Sequence, residues 1–188
     1  MTVEHTGPAC TRCQSTVTFD KKHRQRIIEH SGAHILFDRS IDHTLEPCGL
    51  CLRPAPLCKI YLKKTKGRTG NLAIDMRASS CSNLVKFSIT VAAAFSDSSP
   101  CTNHPMHCPY CPGSSPAVWS YIFREHLCRF HPTVSLKDHE SIWAISDLEK
   151  ERMKQIWDDR LKQPKARRKA QCPPLVISET HRTCLVLR

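Results

Sequence analysis

Apolar positions in this chain come in short, scattered runs, and the two periodicities that build secondary structure alternate along it. KIYLKK, residues 59–64, alternates apolar and basic side chains as a strand does. KKTKGRTGN follows as a basic hairpin tip, and LAIDM reads as the returning strand. KFSITVAAAF, residues 86–95, reads as a further strand-like run. Helical patterning occurs in the charged run KKHRQRIIEH and again before His126 and His131. It returns in a stripe of Leu148, Met153, Ile156, Trp157 and Leu161 on a charged segment. That last helix opens with SDLE, a capping box of Ser146 and Glu149, and is expected to dock on the preceding finger. A second box, Ser135 with Asp138, predicts a short helix over 133–145. Residues 35–47 leave the helical pattern and reach Pro47, which predicts a linker.

Punctuating these elements are cysteines in close pairs. Cys108 and Cys111 form a Cys-x2-Cys knuckle, followed after a Pro/Ser-rich turn by His126 and His131 on one helix. Two thiolates from a turn and two imidazoles from a helix face suit tetrahedral closure around a structural zinc ion. Phe123, three residues before His126, occupies the core position of a two-Cys, two-His finger. The same relation recurs earlier: Cys10 and Cys13, then His30 and His34, with Ile27 three residues before His30. That loop is longer than the usual twelve residues, which makes the first finger degenerate.

A third knuckle, Cys48 and Cys51 around Gly49, opens the middle block. Its remaining ligands come from Cys58, Cys81, Cys101, His104 or His107. Cys81 and Cys101 each end a strand-like segment at a turn and are preferred. Cys58, in alternation with Ile60 and Leu62, reads as a buried core thiol. Cys128, Cys172 and Cys184 match no motif.

The expected fold is thus a small zinc-stapled α+β chain of separate modules. Residues 1–9 form a disordered lead-in, 10–35 a degenerate finger and 46–104 a cysteine-rich zinc-binding β block. A second finger at 105–132, a helical segment at 133–162 and a basic, mostly disordered tail at 163–188 complete it. Twelve cysteines could also make a disulfide scaffold. No apolar secretory run follows Met1, however, and cysteine pairs beside histidines favour metal. No stretch approaches transmembrane length, so no membrane partner is expected.

The charge balance, 28 Lys and Arg against 17 Asp and Glu, gives +11 and favours a polyanion, nucleic acid first. Finger offsets place His23, Gln25, Arg26 and Glu29 toward base edges in the first module. The same offsets in the later one give Trp119, Tyr121, Ile122 and Glu125, a mostly apolar set better suited to a packing or protein-contact surface. Lys63, Lys64, Lys66 and Arg68 at the hairpin, with Arg167, Arg168 and Lys169 in the tail, are candidate phosphate contacts. The KARRK run also fits a nuclear import signal.

At EPCGLCLRPAPLCKIYL, SSCSNLVKFS, SPCTNHPMHCPYC and SPAVWSYIFREHLCRFHP the chain resembles a family of zinc-finger proteins from mushroom-forming fungi. The resemblance covers most of residues 25–188. It implies recurring cysteines at Cys48, Cys51, Cys58, Cys81 and Cys101 beside the finger ligands, and a longer parent protein for many members. HLCRFHP is more locally similar to BED-type fingers of transposase-related proteins. These readings predict a nuclear DNA-binding zinc protein, a transcriptional regulator or a mobile-element derivative. The alternative is a protein-interaction adaptor using Trp119, Tyr121 and the 146–161 helix. Catalysis is not expected: both fingers offer four protein ligands, and no small-molecule substrate site is legible. The deaminase order of His-x-Glu and Pro-Cys-x-x-Cys does not occur either.

Overall fold

The computed structural model describes residues 8–10, 12–13, 17–20, 22–65 and 71–162. It is a small α+β protein of short antiparallel strand pairs and helices. Strand β1 (Ala9–Cys10) pairs with β2 (Val17–Thr18), placing Cys10 opposite Val17, and helix α1 (Arg24–Phe37) follows. A hairpin of β3 (Leu62–Lys64) and β4 (Leu72–Ile74) occupies the middle, with Lys63 opposite Ala73. Helix α2 (Ile89–Ala92) precedes β5 (Pro105–Met106), which pairs with β6 (Val118–Trp119). Helices α3 (Phe123–Phe130), α4 (Glu140–Trp143) and α5 (Asp147–Asp159) complete the described chain. No helix among the described residues is long and apolar enough to cross a membrane.

The expected modules do not stand apart. One buried cluster runs through all three knuckles and includes Ile27 and Ile28 of α1, Leu50, Phe123, Leu127 and Met153. Helix α1 is buried nearly all round at its centre, so its sequence carries no strong apolar stripe. Gly32 accounts for the closeness of packing there. A Cβ at that position would lie 2.8 Å from Cys101 Sγ and 3.2 Å from Met153 Cε. Helix α5 docks mainly on α1, the first finger's helix, and reaches the preceding finger through Glu149 and Tyr121.

Residue Ser146 caps α5 as expected, its hydroxyl accepting from Glu149 N at 3.1 Å. The carboxylate of Glu149 does not complete the box. It is buried, 3% exposed, and accepts from Thr102 N at 2.9 Å, Thr102 Oγ1 at 2.7 Å and the Tyr121 hydroxyl. This pins α5 to the segment before β5. Glu149→Ala leaves the Thr102 and Tyr121 hydroxyls without their acceptor and should cost about 3 kcal/mol. Tyr121→Phe, which loses the bond to Glu149 and the longer one its hydroxyl accepts from Thr102 N at 3.3 Å, should cost about 1 kcal/mol. Urea midpoints at unchanged m-value measure both.

Three expected elements differ. Residues 86–95 form no strand: Ser88 accepts from Val91 N at 3.4 Å and starts the short helix α2, which buries only Ala92. A run ending in three alanines gains more from a capped turn than from a strand with little side chain to pack. Ser135 caps nothing; the turn at 137–139 starts from Leu136 without a side-chain cap. Residues 35–47 are no plain linker, since α1 continues to Phe37 and a capped 3-10 turn spans 43–45.

Candidate metal centres

The described residues bring together three groups of four donors, each with its ligand atoms within 4.8 Å of one another. The first is Cys10, Cys13, His30 and His34, and the third Cys108, Cys111, His126 and His131, both as the spacing predicts. The second is Cys48, Cys51, Cys58 and Cys81. Two expectations about it are corrected. Cys58 belongs to the group, and Cys101 does not: Cys101 is fully buried against α1, its Sγ 3.7 Å from Ile28 O. Cys58 and Ile60 do share a buried side, at 5% and 2% exposure. A ligand thiol buried beside the core leaves the same alternation as a core thiol, so the pattern could not separate the two.

The separations suit a single ion. Metal–ligand bonds of about 2.0–2.3 Å put tetrahedral edges at about 3.3–3.8 Å. Observed edges are 3.9 Å for Cys48–Cys81 and 3.5 Å for Cys51–Cys58. Cys13 Sγ lies 3.5 and 3.3 Å from His30 and His34 Nε2, and Cys111 Sγ 3.3 and 3.2 Å from His126 and His131 Nε2. A disulfide would need sulfurs about 2.05 Å apart, and the described cysteines are all free thiols.

Local structure makes these arrangements. In the second knuckle Leu50 N donates to Cys48 Sγ at 3.4 Å, Leu52 N to Cys48 O at 2.9 Å, and Cys48 N to Arg53 O at 2.8 Å. Leu52 takes φ 60°, the left-handed turn that closes the loop. Gly49 lies flat on the Trp119 ring, where a Cβ would approach to 2.3 Å. Two bonds between Lys59 and Ser80, at 3.2 and 2.9 Å, close the base of the β3–β4 hairpin and bring Cys58 beside Cys81. In the outer centres, Ile27 and Phe123 are wholly buried below the first histidine of each pair, as the finger relation predicts.

Each outer centre also has a carboxylate behind one imidazole. Asp38 Oδ2 lies 2.9 Å from His34 Nδ1, and Glu46 Oε1 lies 2.5 Å from His126 Nδ1. Such partners fix the tautomer that leaves Nε2 for metal and make the ring a better donor. Both carboxylates lie in the stretch read as linker. The available signal is their spacing: Asp38 lies one helical turn after His34, and Glu46 two residues before Cys48.

The thiols respond to this crowding. In the first centre burial works against the Cys10 thiolate, but hydrogen bonds from His30 and His34 outweigh it and bring its pKa to about 5. Burial, then the neighbouring Cys10, push Cys13 up to about 12. In the second centre hydrogen bonding from Cys48, Cys58 and Cys81 holds Cys51 far below the usual thiol range. Sharing among the four drives Cys48 upward. One negative charge is thus easily held and further ones are not. A divalent cation is what allows all four thiolates to ionise.

The expected nucleic-acid residues are scattered. His23 and Arg26 are exposed at the start of α1, and Gln25 is half-buried with Nε2 unpartnered. His23, Arg26 and Glu29 line a cleft of about 550 Å³ against Arg152, Gln155 and Arg160, so α5 flanks the face that a free finger would present. Burial raises Glu29 to about 7 against the lowering pull of Arg26. Lys63 and Lys64 are exposed on β3, Lys63 within 3.3 Å of Asp75. Lys66 and Arg68, and Arg167, Arg168 and Lys169, lie outside the described residues.

The later finger's offsets fail for a structural reason. Its helix begins only at Phe123, so Trp119 falls in β6 and Tyr121 in a 3-10 turn. Both are buried, at 3% and 8% exposure, as is Ile122. They form part of the core and are not available as an adaptor's contact face.

No family model, curated protein or solved structure matches the chain.

Proposed function

We propose that this chain is a zinc protein whose three ions are structural and whose basic surface binds nucleic acid, DNA first, in the nucleus. The observation that carries the metal reading is the closure of each centre by four protein donors, most of them buried. Sets of S4 and S2N2 character at tetrahedral spacing favour zinc. Four protein donors leave no open position of the kind a catalytic zinc uses, which favours a non-enzymatic role.

Support for nucleic acid is the +11 charge, with Lys22, Arg24, Arg26, Lys63 and Lys64 exposed on the body and KARRK near the C-terminal end. Phosphate contact fits this distribution better than base reading, because the α1 face opens into the cleft beside α5. A nuclear regulator or a mobile-element derivative, in a fungal family of such proteins, is the biological form we infer. The adaptor reading is left with the exposed Leu148 and Leu161 of the α5 region as its apolar contacts, a narrow base.

Binding to a labelled DNA duplex should weaken steeply with salt. Log K should fall with log salt at a slope of about −0.9 for each phosphate neutralised. Six contacts would cost about a thousandfold between 50 and 200 mM. Affinity indifferent to salt in a fluorescence-anisotropy titration would remove nucleic acid as the partner.

A further inference from the structure

The four-cysteine group is tied to each of the other two groups by polar side chains. Toward the first centre the tie is the Leu50 carbonyl, inside the Cys48–Cys51 knuckle. It accepts from Ser31 Oγ at 3.1 Å and from Asn83 Nδ2 at 2.9 Å. Ser31 adjoins the ligand His30 on α1. Asn83, two residues after the ligand Cys81 and 5% exposed, also donates to Ala9 O at 2.9 Å and accepts from Ala9 N at 3.2 Å. Ala9 adjoins the ligand Cys10. Both halves of the first centre are therefore fastened to the second centre's knuckle.

Toward the third centre the tie is Glu46. Separated from Cys48 by the buried Pro47 alone, it takes φ 50° and receives His126 Nδ1 on its carboxylate. Arg129, one turn of α3 further on, donates to Thr44 O, and Ala117 N donates to Ile60 O at 2.7 Å. The same two centres face a shared cavity of about 430 Å³ lined by Cys48, Cys58, Cys111, His126 and His131.

From this wiring we propose that the four-cysteine centre is the hub of metal loading, and that both Cys2His2 centres depend on it for affinity. Its ion fixes the knuckle at 48–51. The fixed knuckle holds Asn83 and Ser31 against the first centre, and Glu46 behind His126. Asn83 and Glu46 are positioning residues: they touch ligand-bearing backbone or a ligand imidazole, not the ion. The inference rests on reading the three clusters as metal centres.

Cobalt(II) is a suitable probe, because its ligand-field bands separate S4 from S2N2 coordination. The full chain, loaded with cobalt, is titrated with a competing chelator. Cys81→Ser should lower the affinity of both S2N2 centres by about tenfold or more, the size of effect that outer partners have on a site. Glu46→Gln should weaken one S2N2 centre by a similar factor and spare the other two. Asn83→Ala should weaken the other S2N2 centre alone. If Cys81→Ser does not fold, the Glu46 and Asn83 variants, whose twelve ligands are intact, carry the test. Wild-type affinity at both S2N2 centres in Cys81→Ser, or in both positioning variants, would overturn the hub. Three ions taken up independently would end this inference and leave the metal reading standing; no uptake at all would end both.

Discussion

Removing metal should unfold this protein rather than loosen it. A chain dialysed against a strong chelator under reducing conditions is expected to lose its near-ultraviolet circular dichroism and its cooperative thermal transition. Most of its helical signal should go as well, and zinc should restore all three. The strands are only two or three residues long, and isolated hairpins of that size are marginal in water. What joins them is the donor clusters and the core threaded between these. A structural zinc contributes about 10–16 kcal/mol of apparent binding free energy at neutral pH, against a total stability of about 5–15 kcal/mol for an ordinary domain. Loss of all three ions thus exceeds what the remaining contacts can supply. In the second centre, removal also leaves four sulfurs sharing protons, with Cys51 driven toward thiolate and Cys48 toward thiol. An unchanged melting curve after chelation would contradict this account.

The second large effect separates Cys58 from Cys101. Cys58→Ser replaces one of four sulfur donors with a poor zinc ligand and should take the bound metal from three ions to two. By the tie between centres, it should also lower the midpoint of unfolding. Cys101→Ser should keep all three ions. That sulfur packs against α1, and burial lifts its pKa to about 12, the behaviour of a core thiol. Its loss should cost about 1–2 kcal/mol through packing alone. Native mass spectrometry of the two variants decides the ligand set directly. The opposite pattern, two ions in Cys101→Ser and three in Cys58→Ser, would restore the set that strand-and-turn patterning suggested.

The contrast shows where the sequence was readable. The outer centres were legible because each completes within one knuckle and one helical segment: His30 and His34 share a face of α1, and His131 ends α3 one turn beyond His126. The second centre closes across a hairpin. Nothing in the spacing from Cys51 to Cys58 or Cys81 shows which thiols that hairpin brings together. Alternation put Cys58 on the buried side correctly, but burial alone does not distinguish a ligand from a core thiol.

A different difficulty hid the arrangement of helices. Gly32 and Gly49 make sense only once Cys101, Met153 and the Trp119 ring are seen against them. Glu149 stands three residues after Ser146, the spacing of a capping box. Its carboxylate instead reaches Thr102 and Tyr121, a long-range partnership that local spacing does not encode. Of the packing and protein-contact roles open to the later finger's aromatic residues, packing is the one seen, because the helix starts after them and they turn into the core.

The most direct test of the central claim is the intact mass of the purified chain under native conditions without added reductant. The account requires three zinc ions per chain, displaced together with the fold by chelator, and cysteines that all remain alkylatable after denaturation. A metal-free chain with paired cysteines, each pair about 2 Da lighter than two thiols, would contradict it.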